Sequence, residues 1–98
     1  MTALVWGVSA SLFLLGLAGV ILRRQLMAML LGLELMLLSA NLALAYTANA
    51  LGDPAGLAAA LLVIAVGAAE AVFGLSLIIA LTSSGEPAEA EVLNELKG

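Results

Sequence analysis

Three long apolar runs, separated by short polar breaks and interrupted by two lone acids, constrain this chain more than any other feature. A bilayer core of about 30 Å takes roughly 20 apolar helical residues. The first run, about Leu4 to Leu22, carries no charge; the second, about Leu26 to Tyr46, contains Glu34; the third, about Leu57 to Leu81, contains Glu70. Barrel strands would alternate apolar and polar residues over about ten positions, and these runs do not. Helices satisfy their own backbone polar groups inside lipid. The expected fold is an all-α membrane protein of three transmembrane helices.

Composition agrees. Of 98 residues 64% are hydrophobic and 10% charged, with a mean hydropathy of +1.23, whereas a soluble domain runs near half apolar and a quarter charged. Disorder is excluded by the same figures. Cysteine and histidine are absent, which removes disulfides and the usual ligands of haem, iron–sulfur clusters, copper and zinc. No basic cluster points to nucleic acid. The net charge of −4 is set by the C-terminus, where four of the seven acids fall in the last thirteen residues.

The breaks give an orientation. Arg23-Arg24-Gln25 joins the first two helices, and Thr47 to Gly56, with Asp53-Pro54, reads as the second turn. Arg23 and Arg24 are two of only three basic residues, so the positive-inside rule places their loop in the cytoplasm. The N-terminus then lies outside and the C-terminus inside, with Trp6 and Tyr46 at the outer interface as a sparse aromatic belt. A signal peptide fits poorly, because no positive charge precedes the first apolar run. Residues 1–98 read as one membrane domain, with 82–98 as a cytoplasmic tail. In that tail Val92, Leu93 and Leu96 allow a short amphipathic turn, although a solvated tail is the simpler reading.

Glu34 and Glu70 carry most of the chemical information. A charge at the centre of a membrane helix costs about 2.5–3.5 kcal/mol on insertion scales, which makes an intramembrane acid functional by default. With helix two at 26–46 and helix three at 57–81, Glu34 lies about 3 Å and Glu70 about 1.5 Å from their helix midpoints. Both offsets point to the cytoplasmic side, so the two carboxyls share nearly one depth. A carboxyl in a low dielectric resists ionising, and a group that exchanges a proton near neutrality is what a relay needs. Two at one depth suit lateral transfer through the middle of the membrane. The competing role is hydrogen-bonded glue between helices.

Asn41 lies two turns from Glu34 on the same face; it extends a wetted path or, more simply, bonds a neighbouring helix. Ala68, Ala69, Ala71, Gly67 and Gly74 around Glu70, and Gly7 with Ser11 in helix one, allow close helix contact. Met27, Met29 and Met36 read as packing. A chain this short cannot shield two acids alone, so an obligate hetero-oligomer is expected.

At Gly32-Leu33-Glu34-Leu35-Met36-Leu37, then Ala40-Asn41-Leu42, the chain resembles the small K subunit (4L in mitochondria) of NADH:quinone oxidoreductase, bacterial complex I. The likeness continues at Ala68-Ala69-Glu70-Ala71 and Gly74-Leu75, and takes in the Arg23-Arg24 loop and the terminal Leu96-Lys97-Gly98. It covers nearly the whole chain. The resemblance implies a non-redox subunit of the proton-pumping membrane arm, beside antiporter-like subunits, in the bacterial cytoplasmic (inner) membrane. It further implies that Glu34 and Glu70 belong to the hydrophilic proton-transfer axis, with Arg23 and Arg24 as the cytoplasmic loop pair. NADH, FMN, iron–sulfur clusters and quinone would then sit in partner subunits, with no cofactor in this chain.

One departure is Thr82-Ser83-Ser84-Gly85-Glu86-Pro87, where relatives often carry basic residues. Related readings are the C subunit of sodium/proton antiporters, against which Glu34 argues, and the membrane subunit of a membrane-bound hydrogenase. A rotor-ring subunit would have two helices and one acid. A small multidrug transporter would have four helices and more aromatics. A purely structural membrane subunit is the bland alternative.

Overall fold

The computed structural model describes residues 1–85. Within them the chain forms three helices, α1 (Thr2–Leu22), α2 (Leu26–Leu51) and α3 (Pro54–Ser83). Each is long and apolar enough to cross a membrane, and the expected three-helix, all-α architecture stands. At 1.5 Å per residue the 30 residues of α3 reach about 45 Å, within a molecule 50 Å long and 24 by 20 Å across.

The helices overrun the spans read from hydropathy. α1 starts at Thr2, ahead of Leu4; α2 continues past Tyr46 to Leu51; α3 begins at Pro54, ahead of Leu57, and ends at Ser83. The second turn is therefore Gly52-Asp53 alone, and not Thr47 to Gly56. Thr47 and Asn49 are polar, but neither stops a helix. What stops α2 is Gly52, which takes the left-handed conformation at φ 63°. The Gly52 and Asp53 amides then return to the carbonyls of Asn49 and Ala48 at 3.2 and 2.9 Å, the Schellman closure that glycine permits. Asp53 immediately caps the next helix: its Oδ1 accepts from the Ala55 amide at 3.0 Å. Pro54 stands at the first helical position, where its missing N–H costs nothing.

α2 is the central helix. It packs against α1 on one face and α3 on another, and α1 and α3 make no comparable contact with each other. At 100° per residue, Gly32 and Ser39 lie on the α1 side, roughly opposite Leu30, Leu37 and Asn41 on the α3 side. The α1–α2 seam brings backbones together. A methyl group built on Gly32 would stand 2.5 Å from the Gly16 carbonyl oxygen and 3.1 Å from the Val20 nitrogen, and one on Gly16 would collide with the Gly32 carbonyl. The expected small-residue contact through Gly7 and Ser11 does not form within the described chain. Nothing lies within 4 Å of a Gly7 Cβ, and the Ser11 hydroxyl donates to the Gly7 carbonyl at 2.8 Å along its own helix.

At the N-terminal end of α1, the Thr2 hydroxyl and Tyr46 phenol share a hydrogen bond of 2.7 Å, which ties α1 to α2 where the aromatic belt was expected. Trp6 remains half exposed. Among the described residues the buried apolar side chains are small or few, Ala48, Ala60 and Ile78, while leucines and isoleucines such as Leu14, Leu61 and Ile79 are exposed. This is the inside-out distribution expected when lipid and neighbouring helices replace water around the chain. Of the expected tail, Thr82 and Ser83 belong to α3, and the Thr82 hydroxyl donates to the Ile78 carbonyl at 2.6 Å. Val92, Leu93, Leu96 and Lys97 lie outside the described residues.

Candidate functional site

The α2–α3 seam is looser than the α1–α2 seam and holds the polar groups. Its register follows from three contacts. Ala48 meets Gly56, Leu37 meets Gly67 and Leu30 meets Gly74. Eleven residues back along α2, from Ala48 to Leu37, match eleven forward along α3, and the next seven match seven. Glu34 stands three residues before Leu37, and Glu70 three after Gly67, so this antiparallel register puts their backbones level with each other.

Their side chains have different surroundings. Glu34 is half-buried and Glu70 is exposed on the chain's own surface. Glu34 lines a cleft of about 230 Å³ between α2 and α3, together with Leu37, Asn41, Val63, Ile64 and Gly67. Its Oε2 lies 3.7 Å from the position a Gly67 Cβ would take. Leu37 and Leu30 fill the space beside Gly67 and Gly74, so these two glycines near Glu70 make the close helix contact expected of them, against α2. Neither carboxylate has a hydrogen bond or ion pair to any described residue. Glu70 is thus exposed on α3 at the level of the α2 backbone from which Glu34 lines the cleft.

Asn41 completes the cleft. It is 8% exposed and its Oδ1 is fully buried with no hydrogen-bond partner among the described residues. The interhelical hydrogen bond expected as its simpler role is not made among the described residues. Arg23 and Arg24 are exposed in the first loop, with Arg23 extended at φ −116° and ψ 137°. The eight residues from Leu26 to Glu34 correspond to about 12 Å of axial rise between that end of α2 and the carboxylate. No group of three or more potential metal-ligating side chains occurs among the described residues. The neighbours that shape the cleft, Leu37, Val63 and Ile64, carried no signal of their own in so apolar a sequence.

Residues 4–98 match the family model described as NADH-ubiquinone/plastoquinone oxidoreductase chain 4L. The chain belongs to this family. It is 48% identical over 90 residues to NADH-quinone oxidoreductase subunit 11 of Thermus thermophilus, covering 92% of this chain and 94% of that one. It is 43% identical over 90 residues to NADH-quinone oxidoreductase subunit K of Roseiflexus castenholzii, covering 92% and 90%. It is 38% identical to subunit K of Deinococcus radiodurans over 97 residues, covering 99% and 94%. A member of the chain 4L family is one subunit of a hetero-oligomeric oxidoreductase, and its three apolar helices make it a multi-pass membrane protein.

Proposed function

We propose that this chain works in the membrane arm of a proton-translocating NADH:quinone oxidoreductase, where Glu34 and Glu70 form a lateral step of the proton-transfer axis. The observation that supports the reading is the α2–α3 register, which sets the backbones of Glu34 and Glu70 level, with Glu34 lining the cleft and Glu70 exposed. A proton held at Glu34 reaches the exterior of the chain by way of Glu70 with little change of depth. An outward carboxyl in lipid costs several kcal/mol; a polar partner helix over Glu70 removes that cost and receives the proton. The surface around Glu70 is therefore a subunit contact, and antiporter-like membrane subunits are its natural occupants. Redox centres, NADH and quinone belong to other subunits of the same complex.

The orientation follows the positive-inside rule: the Arg23-Arg24 loop lies in the cytoplasm of a bacterial cell, the Gly52-Asp53 turn outside. The test is NADH-driven proton uptake by inverted membrane vesicles carrying Glu34→Ala, with assembly checked on native gels. Normal assembly with uptake lost by about tenfold or more, in the range typical of a removed proton-transfer group, supports the relay. Normal assembly with normal uptake overturns it and leaves a structural subunit. Loss of assembly itself favours the structural reading, and Glu34→Gln, which keeps size and hydrogen bonding, then distinguishes a lost shape from a lost proton carrier.

A further inference from the structure

The cleft between α2 and α3 contains a polar atom that the relay does not use. Asn41 Oδ1 is buried and lacks a partner among the described residues, and Asn41 lines the same cleft as Glu34. A buried carbonyl oxygen without a hydrogen bond is costly, and native proteins almost always satisfy it with protein or ordered water. The other walls at Asn41 are apolar: Leu37, Val63 and Ile64 offer no donor. At about 230 Å³ the cleft has room for several waters, since one needs only about 10–15 Å³ of such space. Water is stable in a cavity that supplies two or more polar partners, and this one supplies the Asn41 amide and the Glu34 carboxylate.

Resting on the relay reading of Glu34, we infer that Asn41 is a positioning residue that anchors a short file of ordered water reaching the Glu34 carboxyl. Asn41 is seven positions along α2 from Glu34, which corresponds to about 10.5 Å of rise. That is too far for a direct bond and suited to a few waters linked at ordinary hydrogen-bond lengths. Glu34 leans toward this file, because its Oε2 lies beside Gly67, level with Leu37 and so displaced toward Asn41. The amide donates and accepts but does not titrate at neutral pH. It therefore fixes the water's orientation and hands the proton to no one, while Glu34 exchanges it.

The direct test is a structure of the assembled complex at a resolution that shows ordered water. The expected result is water within hydrogen-bond distance of Asn41 Oδ1 and continuous with the Glu34 carboxyl. A partner subunit's donor seated on Asn41 Oδ1, or a dry cleft filled by an apolar side chain, overturns the inference. The functional arm compares Asn41→Leu with Asn41→Ser, read as the ratio of proton uptake to NADH oxidation. Asn41→Leu fills the site with hydrocarbon and lowers the ratio roughly fivefold, the scale of one lost buried hydrogen bond. Asn41→Ser keeps a water-binding hydroxyl and restores most of it.

Equal ratios in Asn41→Leu and the parent overturn the inference, and so do equal losses in Asn41→Leu and Asn41→Ser. If Asn41→Leu does not assemble, the ratio in Asn41→Ser and the water structure of the parent decide. The two proposals fail separately. Normal pumping in Glu34→Ala removes the relay, whereas loss in Glu34→Ala with normal pumping in Asn41→Leu removes only the water anchor.

Discussion

The two seams of α2 are built on opposite plans. Against α1, Gly16 and Gly32 bring two backbones into contact, with space for no further methyl group. Against α3, the leucines at 30 and 37 reach across to Gly74 and Gly67, and the gap this leaves holds Glu34 and Asn41. In lipid there is no hydrophobic drive between helices, so close packing is what holds a pair together. The α1 seam supplies that packing in this chain. The α3 seam gives some of it up and leaves a largely apolar cleft with two polar residues, Glu34 and Asn41, in its lining. On the proposed function, one helix pair is a fixed support and the other is where a proton has room to move.

The largest effect that distinguishes the seams is a side chain forced into the tight one. Gly16→Val drives a Cβ, with two further methyls on it, against the Gly32 carbonyl oxygen and the Met36 backbone nitrogen, neither of which can swing aside. Overpacking of this kind typically costs about 1–3 kcal/mol and more against backbone. The expected result is loss of the subunit from the assembled complex on native gels. Normal assembly would mean that α1 and α2 are not held by this contact.

At the α3 seam the corresponding change is milder. Gly67→Ala meets the Leu37 side-chain tip at 2.7 Å, which a rotation of that leucine relieves, so stability falls by about 1 kcal/mol with assembly retained. The added methyl also narrows the space at Glu34, so proton uptake falls more than NADH oxidation does. Equal damage from Gly67→Ala and Gly16→Val would erase the contrast.

A capping change acts outside both seams: Asp53→Ala removes the Oδ1 acceptor for the Ala55 amide and costs about 1 kcal/mol, read as a lower melting temperature of the detergent-solubilised complex. The smallest effect belongs to Gly7→Ala, whose Cβ meets nothing in this chain. It is expected to change stability by about 0.5 kcal/mol or less. A marked assembly defect there would show that a partner helix packs against α1 at Gly7.

Much of this contrast was hidden in the sequence, and the reason is physical. The helices themselves were legible, because length and apolarity alone specify them. The two acids were legible because a charge is conspicuous in such a background. The end of α2 was misread because Thr47 and Asn49 resemble loop residues, while the determinants of the turn are the left-handed Gly52 and the Asp53 cap. The tight seam was missed for a related reason. The chain has ten glycines, and only packing separates Gly16, which meets Gly32, from Gly7, which meets nothing. The short spacing of Gly16 and Gly19, with Gly32 beyond the Arg23-Arg24 loop, was the available signal. No sequence pattern predicted that Asn41 would stand buried without a partner, since the register that carries it into the cleft is set by Leu30, Leu37 and Ala48 against three α3 glycines.

The central claim is that the loose seam carries one proton path through both carboxylates. A double-mutant cycle tests it most directly: NADH-driven proton uptake in inverted vesicles bearing Glu34→Gln, Glu70→Gln, and both, with assembly verified for each. Groups acting in series on one path are strongly non-additive. The account predicts that each single variant assembles and loses most of its uptake, and that the double variant is no worse than the poorer single one. Partial losses that multiply in the double variant would show two independent roles, and normal uptake in either single variant would contradict the shared path outright.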